Sequence, residues 1–229
     1  AGGRRCRLAG EPVWPGRSPC ERVEAARHDA LLELAFRDAP LSVLCAYDTA
    51  RLEHHVIGDA ERTHPVICCD GDRLPSPSHA DPLEVLETLG CILPPPSGRV
   101  HTLEFDHDLV RLRRFVRAHA LAAPLGGGRL ADLLVAANEA ATNTLVHTGR
   151  PGVVRLWCDP HALVCEFVDH GRIDDPLAGR RPPEPSGRSG RGLWLINQLC
   201  DLVQLREGSH GLVLRLHVAF DRPGAGLRP

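Results

Sequence analysis

The sequence predicts an α/β protein in two parts. Three observations carry that prediction. A Pro-rich stretch, 94–98, marks a linker. Ahead of it, helical and strand-like patterns alternate. Behind it, a long helical run is followed by strand-like segments and a second, shorter helical run. The expected division is 1–97 and 98–229.

In the first part, 20–36 reads as an amphipathic helix, with Val23, Ala26, Ala30, Leu31 and Leu34 at helical spacing. Residues 42–47 read as a buried strand, 51–62 as a second helix, and 63–67 as the start of an extended run. This is too little material to bury both faces of a sheet.

In the second part, 106–122 and 129–148 read as helices. Glu139, Asn143 and His147 stand four residues apart, so they stack on one face of the longer helix. Leu130, Leu133, Leu134, Ala137, Ala141 and Leu145 supply apolar surface around them. A carboxylate beside an amide oxygen suits a Mg²⁺–phosphate site, although a polar column also fits a solvated face. Residues 164–168 read as a strand ending in Asp169-His170-Gly171, which aims a carboxylate from a strand end. Residues 172–189 are rich in Pro, Gly and Arg, lack any period, and read as a mobile loop. The loop closes on Gly190-Arg191-Gly192-Leu193, where a helix begins. Glycines at a helix start expose unpaired N–H groups to an anion.

This ordered set resembles the GHKL ATPases, a group shared by gyrase-type ATPases and sensor histidine kinases, and above all the small anti-sigma-factor serine kinases of bacteria. The resemblance covers about 100–220. It implies a two-layer α/β sandwich, a mixed sheet with helices on one face. It also implies ATP and Mg²⁺ as cofactors, with Asn143 holding the metal and Glu139 as the general base. Asp169 and Gly171 would receive the adenine. Arg188, Gly190, Arg191, Gly192 and Leu193 would surround the phosphates, with 172–189 as a lid. The expected partners are a sigma factor and a STAS-type anti-anti-sigma protein, with a homodimer a further expectation. Two positions depart from the pattern. Ile173 stands where a second glycine is usual, and Gly211-Leu212 replaces Gly-Thr, so a hydroxyl is missing that Ser209 or Thr142 would have to replace. A nucleotide-gated binding module without phosphotransfer is therefore a second reading. A sensor histidine kinase is a third, with His101, His107 and His119 as candidate acceptors.

The first part resembles the C-terminal half of a MEDS sensory domain, a RecA-like α/β module. The likeness rests on Gly10-Glu11-Pro12-Val13-Trp14-Pro15-Gly16-Arg17, on Leu44-Cys45-Ala46-Tyr47-Asp48-Thr49 and on Thr63-His64-Pro65. It implies that strands preceding the Gly-Glu-Pro segment are absent from this chain, which does not begin with Met. The part is then either a sensor or a structural unit holding a dimer. Trp14 reads as a pocket aromatic or a packed corner.

A net charge of −2 gives no basic field for nucleic acid or for an acidic membrane surface. No apolar stretch is long enough to span a bilayer, and no signal-peptide pattern opens the chain. The nine cysteines form no Cys-x-x-Cys pair. Cys45, Cys91, Cys158, Cys165 and Cys200 read as core residues, and a reducing cytoplasm fits them. The histidines show no metal-ligand spacing; His54, His55 and His64 read as surface residues. Arg-rich, Lys-free composition suggests a high-GC bacterial source.

Overall fold

The computed structural model describes residues 6–69, 71–183, 190–208 and 211–220. The chain divides into two units, the second beginning at Ile92. The Pro-rich stretch therefore belongs to the second unit. Two hydrogen bonds tie it there: Arg215 Nη2 donates to Pro94 O at 3.0 Å, and Ser97 Oγ to Asp159 Oδ1 at 2.7 Å.

The first unit opens with β1 (Cys6–Gly10), α1 (Pro19–Phe36) and β2 (Leu41–Cys45). The two strands pair in parallel, as a strand–helix–strand crossover allows. α1 starts at a capping box: Ser18 Oγ accepts from Glu21 N, Glu21 Oε2 accepts from Ser18 N, and Pro19 takes the first helical position. α2 (His54–Thr63) follows, later than the 51–62 expected. Residues 48–52 are held in a turn instead, where Asp48 Oδ1 accepts from Ala50 N. A hairpin of β3 (Val66–Cys69) and β4 (Asp72–Pro75) and a short helix, α3 (Pro82–Thr88), complete the unit. β1, β4 and α3 had no counterpart in the sequence reading.

The apolar centre of this unit is small: Val13, Ala25, Leu52 and Val56. The β1–β2 strands contribute little to it. Leu8 and Leu44 are 55 % and 56 % exposed, so the run 42–47 is not the buried strand expected. A polar network lies against α1 instead. Asp29 is buried, and accepts from Tyr47 Oη at 2.5 Å and from Cys45 Sγ at 3.7 Å. Burial first, then the charge of Asp29, push the Cys45 thiol up to about 12. Trp14 is exposed, with the Arg17 guanidinium 4.0 Å over its ring, rather than packed in a corner.

The second unit comprises β5 (His101–Phe105), α4 (Leu109–Ala120), α5 (Gly127–Thr148), β6 (Gly152–Cys158), β7 (Ala162–Asp169), α6 (Arg191–Leu199), β8 (Leu202–Gly208) and β9 (Gly211–Ala219). The strands form one sheet in the order β5-β6-β7-β9-β8. All four pairings are antiparallel, so the sheet is antiparallel rather than mixed. The reason is β9. β7 and β8 run in the same direction and are linked through α6, but β9 inserts between them and turns both contacts antiparallel. The helix α4 begins at Asp108, whose side chain accepts from Arg111 N, which leaves His107 outside the helix expected at 106–122. α5 stops at Gly149, in the left-handed conformation at φ +63°.

Alternation along the strands sends Phe105, Val154, Leu156, Leu163, Cys165, Phe167, Leu214, Leu216 and Val218 into one cluster with Leu112, Val116, Leu133, Ala137, Ala140, Ala141 and Ile196 of the helices. The helices thus cover one face, giving a two-layer α/β sandwich. The other face carries a cross-strand row, Arg155–Glu166–Arg215, with Glu166 and Arg215 both buried. Arg215 Nη2 lies 2.6 Å from Glu166 Oε2, and its guanidinium sits over Trp157 at 5.0 Å. Of the cysteines expected in the core, only Cys165 is fully buried; Cys45 and Cys200 are half-buried. Cys91 and Cys158 are exposed, Cys91 at the end of the first unit and Cys158 at the end of β6.

Candidate functional site

Three segments of the second unit meet at one cavity of about 370 Å³. α5 contributes Ala140, Asn143, Thr144 and His147. The end of β7 and the segment after it contribute Phe167, Asp169, Gly171 and Ile173, and the start of α6 contributes Gly190, Gly192 and Leu193. Their convergence follows from the topology. α5 packs along the sheet and against α6, while β7 ends beside the last turn of α5.

The closest approach is at Gly192. A Cβ there would lie 3.0 Å from both Asn143 Oδ1 and Glu139 Oε2. The absence of a side chain lets the first turn of α6 sit directly on the carboxyl–amide ridge of α5. Glu139 is half-buried under this contact and is not itself part of the cavity wall. Gly190 precedes α6 at φ +83°, and no side chain caps that helix end. A glycine in the cap position brings no side-chain oxygen of its own to this helix start, where the helix dipole favours an anion. Asn143 and Glu139 offer hard oxygen donors beside it, a donor set that fits Mg²⁺ held with phosphates. Arg191 is exposed at the same turn. Arg188 and Ser209 lie outside the described residues.

Across the cavity, Asp169 is held on both oxygens. Thr144 Oγ donates to Oδ2 at 2.6 Å, and the Gly171 N–H donates to Oδ1 at 2.7 Å. Gly171 is required by this turn, since a Cβ there would stand 2.9 Å from Oδ1. Gly211, at φ +125°, passes so close to β7 that a Cβ would meet Asp169 O at 1.9 Å. It thereby sets Leu212 opposite Asp169 in the register. Thr144 was not among the expected residues. Thr142, a candidate to replace the missing hydroxyl, turns back to Asn138 O at 2.8 Å on its own helix. Position 144 lies one residue past Asn143, about 100° round the helix, and a hydroxyl beside a polar column was the signal available.

Both departures from the usual pattern, Ile173 and Leu212, line this cavity, together with Leu205, Leu214 and Phe167. The expected lid is partly anchored. Leu177 is buried, Asn197 Nδ2 donates to Gly179 O at 3.4 Å, and Gly179 at φ +73° passes against Leu193. Residues 184–189 lie outside the described residues. His147 is exposed in the last turn of α5, where the helix dipole favours a cation, and also borders the cavity.

The candidate acceptor histidines have other neighbours. His101 and His119 stack with ring centres 3.9 Å apart, and Phe115 meets His119 edge-on at 4.6 Å. Burial, and then the neighbouring His101, lower the His119 pKa. Among the described residues no helix is long and apolar enough to cross a membrane.

Residues 1–65 match the family model described as MEDS, the methanogen/methylotroph DcmR sensory domain. Residues 104–218 match that of the histidine kinase-like ATPase domain. No curated protein matches the chain. The second of these matches covers just over half of the 229 residues, its segment is the one that builds the sandwich and the cavity, and the chain belongs to the histidine kinase-like ATPase domain family.

Proposed function

We propose that the second unit binds ATP with Mg²⁺ and phosphorylates a serine on a STAS-type anti-anti-sigma partner, thereby controlling a sigma factor. The observation that carries this reading is the joint approach of Gly192 to Asn143 and Glu139, with Asp169 on the wall of the same cavity. Asn143 would hold the metal ion through its amide oxygen. The amides of the first α6 turn would hold phosphate oxygens, and Asp169, fixed by Thr144 and Gly171, would accept from the adenine amino group. ATP would supply the phosphoryl group, and Mg²⁺ held by Asn143 would offset the phosphate charge. Glu139 takes the proton of the serine hydroxyl as the serine oxygen bonds to the γ-phosphorus and the bond to the ADP oxygen breaks. In such a reaction the protein contributes mostly placement and charge neutralisation.

Calorimetric titration with Mg-ATP, followed by incubation of labelled ATP with STAS-domain proteins, tests this. Asn143→Ala should lose the binding heat. Glu139→Ala should keep ATP affinity within about threefold and lose transfer by about 10²–10⁴-fold. Transfer at the parent rate by Glu139→Ala would overturn the base assignment. Ile173 and Leu212, both in the cavity wall, favour a second reading in which ATP gates partner binding without transfer. ATP-dependent complex formation with no labelled product would select it.

A further inference from the structure

The first unit brings three side chains of metal-binding chemistry to one point. Asp29 comes from α1, Cys45 ends β2 and His64 follows α2. A carboxylate oxygen, the thiol and one imidazole nitrogen lie within 4.8 Å of one another. Asp29 is only 4 % exposed. Both of its oxygens nevertheless accept from neutral donors, Tyr47 Oη at 2.5 Å and Cys45 Sγ at 3.7 Å. A buried carboxylate is ordinarily matched by a cation or a metal ion. His64 is also prepared. Its Nδ1 lies 2.8 Å from Ala60 O, a carbonyl that only accepts, and 3.1 Å from Thr63 Oγ; the tautomer that donates to this carbonyl has its lone pair on Nε2. A carbonyl behind the ring is the usual means of orienting a metal-binding histidine. The Tyr47 ring meets the His64 ring edge-on at 5.9 Å and limits its rotation.

We propose that Asp29, Cys45 and His64 bind one divalent ion of the zinc class, with a fourth position open to water or a small anion. One thiolate, one imidazole and one carboxylate match the preference of zinc and cobalt, and not that of magnesium or calcium, which take oxygen ligands. Tyr47 holds Asp29 Oδ2 and leaves Oδ1 for the ion. In a tetrahedral shell the ligand atoms would stand about 3.3–3.8 Å apart, so binding draws them inward from their present separation. The Cys45 proton leaves to solvent as the sulfur–metal bond forms, and no oxidation or reduction is involved. The ion supplies the positive charge that the cluster lacks. All three residues belong to the first unit.

The full chain, stripped with chelator and dialysed, is titrated with Co²⁺ and followed by absorption, with Zn²⁺ then competing. The expected result is a thiolate-to-cobalt charge-transfer band saturating at one ion per chain and displaced by Zn²⁺. Cys45→Ser should abolish the band, and His64→Ala should weaken Co²⁺ binding by about 100-fold or more. Circular dichroism of each variant separates loss of the site from loss of the fold. Asp29→Asn serves as a third variant, since it preserves the shape of the side chain. Absence of the band in the folded parent overturns the proposal. So does a band that survives Cys45→Ser and disappears in the double variant Cys68→Ser/Cys69→Ser, which would place the ion on the exposed neighbouring thiols.

Discussion

The two units solve the problem of burying a sheet in opposite ways. In the second, five strands share one register, and the inward residues of β6, β7 and β9 are almost wholly buried beneath three helices. In the first, a two-stranded parallel pair leaves Leu8, Val43 and Leu44 exposed, and the apolar cluster holds four buried residues. Packing dominates the second unit. A polar network around Asp29 occupies the corresponding place in the first. A dense core fixes backbone positions and lets glycines make close approaches, as at Gly192 and Gly211. A sparse core leaves specificity to hydrogen bonds, as at Asp29, Tyr47 and Cys45.

The largest effects should come where the second unit is tightest. Glu166→Ala leaves Arg215 buried without its carboxylate, and should cost about 3–5 kcal/mol in chemical denaturation. Gly211→Ala adds a Cβ 1.9 Å from Asp169 O at φ +125°, and should cost about 3 kcal/mol or more while also weakening nucleotide binding. If either variant unfolded with the parent midpoint, the picture of a rigid second unit would break. The next test is a matched pair. Leu216→Ala in the core should cost about 2–5 kcal/mol, and Leu44→Ala on β2 within about 0.5 kcal/mol. Equal losses would erase the contrast between the units. Gly192→Ala sharpens it differently. The new methyl presses on the side-chain ends of Asn143 and Glu139, so stability should change by less than about 1 kcal/mol. Mg-ATP affinity should fall at least about tenfold, read by calorimetry.

The same contrast decides what could be read from the sequence. In the second unit, Glu139, Asn143, Asp169, Gly190 and Gly192 sit at element boundaries or on one helix column, so spacing singled them out, and the resemblance to the GHKL ATPases joined them into one expected site. The positions of α5 and β7 followed from periodicity. What escaped was lateral. Thr144 lies off the polar column and reaches Asp169 only because β7 ends beside it. The antiparallel character of the sheet depends on β9 entering between β7 and β8, which no local pattern encodes. The docking of Leu177 and Gly179 on α6 lies inside a loop with no period. In the first unit, helix α1 was legible from its apolar spacing, but Asp29 on that helix is buried while the strand residues are not. Asp29, Cys45 and His64 form no spacing motif because three separate elements deliver them. The helix start at 54 was displaced by the Asp48 turn, a short polar side chain competing with helical hydrogen bonds.

The insertion of β9 between β7 and β8 has an engineering consequence. The excursion from Asp169 to Leu202 begins and ends in strands that are each zipped to β9 along most of their length. Its two ends are fixed by the sheet, so added residues change only the entropy of a closed circuit. Each doubling of such a length costs roughly 0.6 kcal/mol. A tag or reporter spliced into the excursion away from Leu177, Gly179 and α6 should therefore leave the strand registry and the melting cooperativity of the sandwich intact.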